Sequence, residues 1–178
     1  ADSAPALLRH SGGNPLYLLE TLKTWLSQGA QDLPARLPAV PNLQALIERR
    51  ITRLSVPAVQ LARCAAVAAP DFSIELAAHV LGQRTIELSD PWAELEAAQV
   101  LTGGAFVHDL IFEAALASVP AVVARQLHAE IAAFLSTRGG EPLRLARHWR
   151  QAERWDAAGQ AFVDAARRAG EAARVFEQ

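Results

Sequence analysis

Residues 100–109 read Val-Leu-Thr-Gly-Gly-Ala-Phe-Val-His-Asp, and they carry the one good strand signal in the chain. Val100-Leu101-Thr102 and Ala105-Phe106-Val107 are short runs of strand-favouring residues. The Gly103-Gly104 pair between them can take the positive φ that a two-residue hairpin turn needs. Asp109 then stands where a helix cap belongs, ahead of an apolar run from Leu110 to Ser118. To either side of this stretch the apolar residues recur at helical spacing.

Upstream, Asp90 and Pro91 are read as the cap and first turn of a helix through Gln99, and Ser73 to Leu81 as a short helix ended by Gly82. Ser55 and Pro57 open a helix through Ala69 that is apolar nearly all round and therefore belongs at the centre of its subdomain. Asn42 can cap the helix before it, where Leu43, Leu46, Ile47, Ile51 and Leu54 line one face. Helices followed by a short hairpin make a winged-helix pattern, with Gly103 and Gly104 at the wing tip. Pro34, Pro38 and Pro41 break helix between Gln31 and Asn42, so 31–42 reads as a connector. Before it, Asn14-Pro15 starts a helix with Leu16, Leu19, Leu22 and Leu26 on one face, ending near Gly29.

Downstream, Ala124, Leu127, Ile131 and Phe134 mark a longer helix that stops at Gly139-Gly140. Leu143 to Arg150 and Trp155 to Ala169 then form a helix pair, with Trp155, Ala158, Phe162, Ala165 and Ala169 on one face of the second member. Such pairs are the units of helical-repeat arrays. The chain opens at Ala1 without methionine and closes inside an alanine-rich pattern, which reads as a piece of a longer protein.

Composition agrees with helices packed through small side chains: about a fifth of the 178 residues are alanine, and only 6% are aromatic. No run of about 18 apolar residues and no signal peptide occurs, so a soluble, cytoplasmic protein is expected, with no membrane partner. The single Cys64 lies in an apolar run and reads as a buried small hydrophobe. Seventeen Lys+Arg against nineteen Asp+Glu leave a net charge of −2 and no general footprint for nucleic acid.

Catalytic motifs are lacking. There is no Gly-x-Ser-x-Gly elbow, no His-Glu-x-x-His and no Cys-x-x-Cys, and the five histidines are scattered, so neither a catalytic residue nor a metal site is expected. The sole lysine, Lys23, follows Thr21-Leu22 on an apolar helix face rather than a glycine-rich loop. No phosphate-binding Walker A motif is therefore present, and the chain is not expected to act as an enzyme by itself.

Two segments resemble a specific family. Ser11-Gly-Gly-Asn-Pro-Leu-Tyr-Leu-Leu-Glu is similar to the Gly-x-Pro motif, commonly Gly-Gly-Asn-Pro-Leu, of the STAND-class (AAA+/NB-ARC-like) signalling ATPases. Within that class it most resembles the large ATP-binding bacterial transcriptional regulators with LuxR-type or SARP-type DNA-binding ends. Phe106-Val-His-Asp-Leu-Ile-Phe-Glu-Ala-Ala-Leu resembles their Phe-x-His-x-x-Ile/Leu-x-x-Ala stretch, and His108-Asp109 the His-Asp of the Met-His-Asp motif, with Val107 in place of Met. Val40 to Ser55, Leu127-His-Ala-Glu-Ile-Ala and Ala146-Arg-His-Trp continue the likeness in order. Arg50, His128 and His148 are expected to make structural contacts only.

The resemblance implies a mainly α chain: the end of a helical lid (1–30), the connector (31–42), a winged-helix subdomain with a small hairpin wing (43–137), and the start of a TPR-like helical repeat array (141–178). It implies a nucleotide-sensing switch, with Gly13, Asn14 and Pro15 on the adenine side and His108 on the β-phosphate of ADP. ADP or ATP, with Mg in the full-length protein, would be held mainly by a P-loop domain in cis outside this chain. An inducer or partner protein would reach the repeats. Local rules permit plainer readings as well: Gly-Gly-Asn-Pro can simply separate two helices, and His108 can bond a neighbouring carbonyl. DNA contact is expected only from a domain elsewhere, because the helix 90–99 offers Glu94 and Glu96 and no cation to phosphates. The rival reading is a helical protein–protein interaction scaffold that never meets a nucleotide.

Overall fold

The computed structural model describes residues 18, 19, 22, 23, 47 and 50–176. The chain divides into two compact units, Ala1–Arg53 and Leu54–Gln178. In the first, Leu18, Leu19, Leu22 and Lys23 are helical, as are Ile47, Arg50, Ile51 and Thr52, inside the two helices predicted there. Leu19 is 53% exposed, so the leucine face is not covered along its whole length. Gly13, Asn14, Pro15 and the connector 31–42 lie outside the described residues. The division between units falls C-terminal to that connector.

The second unit is mainly helical, with one small antiparallel sheet. Helix α1 (Val56–Ala68) is capped by Ser55, whose hydroxyl accepts from the Ala58 N–H at 3.4 Å. It buries Ala58, Leu61, Ala62, Cys64, Ala65, Ala66, Val67 and Ala68, which is a face on nearly every side. Alanine at five of those places lets several helices approach the α1 backbone closely. Four do so: α2 (Ile74–Leu81), α3 (Ser89–Ala97), α4 (Asp109–Ala117) and α5 (Ala121–Thr137). Burial pushes the Cys64 thiol up to about 12, aided by the Glu130 charge, so this side chain behaves as a hydrophobe.

The core runs from Val67 and Ala68 through Leu76 and Val119 to Ile131 and Phe134, with Phe72 and Leu127 packed against it. Helix α2 has the expected ends: the Ser73 hydroxyl accepts from Leu76 N–H at 3.2 Å, and Gly82 takes a left-handed φ of 63°. The start of α3 differs from expectation. A 3-10 turn over Thr85–Leu88 runs straight into it, so Asp90 lies inside the first turn instead of capping, and Leu88 is the residue at the boundary. The turn stands in for the cap by its own bonds, since Glu87 accepts from the Arg84 N–H at 2.8 Å. One further tie closes this part of the unit: Ser55 donates its N–H at 2.6 Å and its hydroxyl at 2.5 Å to the two oxygens of Glu94 on α3.

The hairpin forms as predicted. Strands β1 (Leu101–Thr102) and β2 (Ala105–Phe106) pair antiparallel, Leu101 opposite Phe106 and Thr102 opposite Ala105. A Val107 N–H to Val100 carbonyl bond of 3.2 Å extends the ladder by one rung. Gly103 and Gly104 have φ of 58° and 85°, so the backbone conformation calls for glycine there, and Gly104 lies against the Trp92 ring. Two helices follow the bundle. In α6 (Pro142–Gln151) and α7 (Trp155–Phe176), the second packs on the first and α6 packs on α5. The inner face of α7 holds Ala158 and Ala161. Trp155 and Phe162, expected on one apolar stripe with Ala158, are 65% and 39% exposed.

Candidate functional site

His108 leaves β2 in extended conformation, φ −154° and ψ 143°, and occupies the N-cap of α4. Its Nδ1 accepts from the Leu110 N–H at 3.2 Å, and its carbonyl accepts from Ile111 and Phe112 at 3.0 and 3.2 Å. Asp109, expected to cap, is instead the first residue of the helix. The imidazole takes over that role because the extended backbone at His108 brings its ring nitrogen, two residues before Leu110, onto the open N–H. The alternative bond to a neighbouring carbonyl is not made: Nδ1 is an acceptor here. That assigns the ring proton to Nε2, which has no protein partner among the described residues and is left as a donor. The half-buried ring sits between hairpin and helix, which an edge-to-face contact of Phe106 with Phe112, centroids 5.6 Å apart, holds together.

The electrostatics of this place pull in two directions. Open N–H groups at the start of α4 favour an anion, while the exposed Asp109 carboxylate in the first turn opposes one. Two of the three acidic groups of α3 are engaged by the protein: Glu94 by Ser55, and Glu96 by the Gly103 N–H at 3.4 Å. An apolar cleft of about 440 Å³ lies next to the wing, lined by Ile74, Leu88, Trp92 and Glu96 among others. It contains no cationic side chain that would suit a phosphate.

A second constellation escaped sequence reading. Asp71, on the turn that follows α1, His148 on α6 and His128 on α5 form a chain. His148 Nε2 lies 3.3 Å from Asp71 Oδ2, and His148 Nδ1 lies 2.8 Å from His128 Nδ1. Arg144 donates to the other Asp71 oxygen at 2.7 Å. The Asp71 and His148 side chains are only 4% and 8% exposed. Burial pushes His128 down to about 4, with the neighbouring His148 adding to the effect; burial also lowers His148, against the opposing hydrogen bond and charge of Asp71. The sequence reading assigned His128 and His148 structural contacts and did not join them. The separations along the chain, 20 residues between the two histidines and 77 between Asp71 and His148, follow no local period. Arg50 is helical and half-buried.

Among the described residues, no group of three or more His, Cys, Asp or Glu is placed to hold a metal ion, and no single helix is long and apolar enough to cross a membrane. No family model matches the chain, and neither a curated protein nor a solved structure matches it.

Proposed function

We propose that this chain is the nucleotide-state-sensing part of a STAND-type ATPase regulator. Residues 43–137 act as its winged-helix subdomain and 141–178 as the first unit of a TPR-like array. The observation that carries the reading is the state of His108: with Nδ1 committed to the Leu110 N–H, its Nε2–H is a fixed donor beside a helix N-terminus, where a phosphate oxygen can accept. In the longer protein a P-loop domain would hold ADP, Gly13, Asn14 and Pro15 would line the adenine side, and His108 would hold the wing closed on the β-phosphate. Exchange for ATP would release the wing only by as much as the two nucleotides differ in affinity for the closed and open forms. The short hairpin with glycines at its tip, α3 with its Glu94 and Glu96 carboxylates turned to internal bonds, and the α6–α7 pair all suit this reading.

The test separates capping from ligand binding. In the P-loop-containing protein, His108→Asn keeps a side-chain oxygen for the Leu110 N–H but has no group at the Nε2 position. Expected are an unchanged melting temperature, ADP retention reduced about tenfold (about 1.4 kcal/mol for one lost charge-assisted bond) and raised basal output. His108→Ala should lose stability as well. ADP content and output equal to wild type in His108→Asn would remove the histidine from the mechanism.

A second reading, a protein-binding scaffold, is favoured by one observation: Trp155, Phe162 and Val163 stand 65%, 39% and 55% exposed on α7. Trp155→Ala in that case abolishes partner capture and leaves nucleotide retention untouched, the reverse of the His108 pattern.

A further inference from the structure

The Asp71–His148–His128 chain joins three elements, and its proton inventory is determined by its ends. Asp71 can only accept, so His148 donates from Nε2 and its Nδ1 is left with a lone pair. His128 must then donate from Nδ1 across the 2.8 Å contact. Both rings are neutral in this arrangement. A first added proton goes to His128 Nε2 and leaves the contact intact, because Nδ1–H still faces a lone pair. A second proton has only His148 Nδ1 to occupy, and two N–H groups then face each other at a distance where one must accept.

What surrounds the pair makes this contact decisive. Beside His148, α6 buries Pro142 and Ala146, with Ala152 just beyond its end, while Leu145 and Trp149 are half-buried, so His148 is the largest side chain that α6 buries fully and a change at its ring is felt by the whole helix. α7 packs on α6 and follows it. The charged group that acts on the pair is Asp71, with its partner Arg144; on α5 the neighbouring charges are engaged elsewhere, Arg125 with Glu153 at 2.9 Å and Glu130 with Gln126. The Asp71 carboxylate already serves Arg144 and His148, so it does not neutralise a second imidazolium.

We propose that Asp71, His148 and His128 form an acid-operated latch, which holds the α6–α7 helix pair on the bundle while the facing Nδ1 atoms share one proton and releases the pair when each carries its own. The latch is separate from the nucleotide site, since neither histidine belongs to it, and its failure leaves the His108 reading untouched.

The test uses the 178-residue chain. Long-range proton–nitrogen NMR at pH 7.5 should find His148 protonated at Nε2 and His128 at Nδ1. Hydrogen exchange followed by mass spectrometry from pH 7.5 to 4.5, corrected for intrinsic rates, should show residues 142–171 losing protection at least tenfold relative to residues 56–68. The variant His128→Leu/His148→Leu puts apolar groups of similar size across the interface, and its helix pair should hold constant relative protection over the same range. Opposite tautomers, constant relative protection in wild type, or an equal loss in wild type and the double variant would each overturn the latch. Should the double variant not fold, the tautomers and the wild-type profile decide alone.

Discussion

Ala69 ends α1 at φ 48° and ψ −119°, a backbone region that a residue with a Cβ adopts at a cost of roughly 1–3 kcal/mol. It is exposed, so its methyl contributes no packing in return. The two residues after it explain why the strain persists: Pro70 cannot continue the α1 hydrogen-bond ladder, and the tight turn through Ala69–Asp71 delivers the Asp71 carboxylate to His148 and Arg144. Glycine meets the same backbone angles without the clash, offset by its larger freedom when unfolded. Ala69→Gly is therefore expected to stabilise the chain by about 1 kcal/mol, read as a higher urea midpoint with unchanged slope. A lower midpoint would mean that the turn is not strained in solution. At this same scale the His108 imidazole, proposed to meet a phosphate, is the cap that starts α4, which is why Asn and Ala at this position must be compared.

At the scale of elements, α1 is the axle of the second unit, and its alanines set how near the other helices come. Ala65 is 2% exposed, and a larger side chain there has no room. Ala65→Leu should cost about 1–3 kcal/mol through overpacking, measured by thermal or urea unfolding, even though leucine is the more apolar residue. A neutral or stabilising result would show that α1 is loosely packed. The elements legible in the sequence are those whose causes are local. The α1 helix was readable from Ser55, Pro57 and a segment apolar nearly all round, α2 from Ser73 and Gly82, and the hairpin from two glycines between strand formers. Where the reading slipped, a tertiary or competing local bond prevailed: Asp90 gave way to a 3-10 turn closed by Glu87 and Arg84, and Asp109 to the His108 ring. The stripe on α7 slipped for another reason, since spacing alone does not say which of two apolar faces is covered, and Ala158 and Ala161 lie inside while Trp155 stays out. The histidine pair was beyond reach altogether, because nothing within a helical turn of His128 or His148 announces a partner on another element.

For the whole molecule, the buried imidazoles make stability a function of pH with a definite sign. His128 titrates near 6.5 when unfolded and is held down to about 4 in the fold, by burial first and by His148 second, and His148 is lowered as well. Between those two values the unfolded chain binds more protons than the folded one, so stability rises with pH across that interval. The contribution is complete above about 6.5 and drains as the pH falls toward 4. Because His128 is partly open to solvent, water screens part of the effect, and the quantity to measure is the slope of the urea midpoint against pH, with the slope in denaturant checked for two-state behaviour. Carboxylates add a loss of their own at the acid end, so wild type is compared with His128→Leu/His148→Leu, which has the same carboxylates and neither ring. The wild-type midpoint should be flat from pH 7.5 to 6.5 and decline from 6.5 to 5, while the double variant stays level over that second interval. A decline of equal steepness in both proteins would place the acid sensitivity elsewhere, and a wild-type midpoint that rises on acidification would mean that the fold binds protons more readily than the unfolded chain, against the downward direction given to both imidazoles by burial.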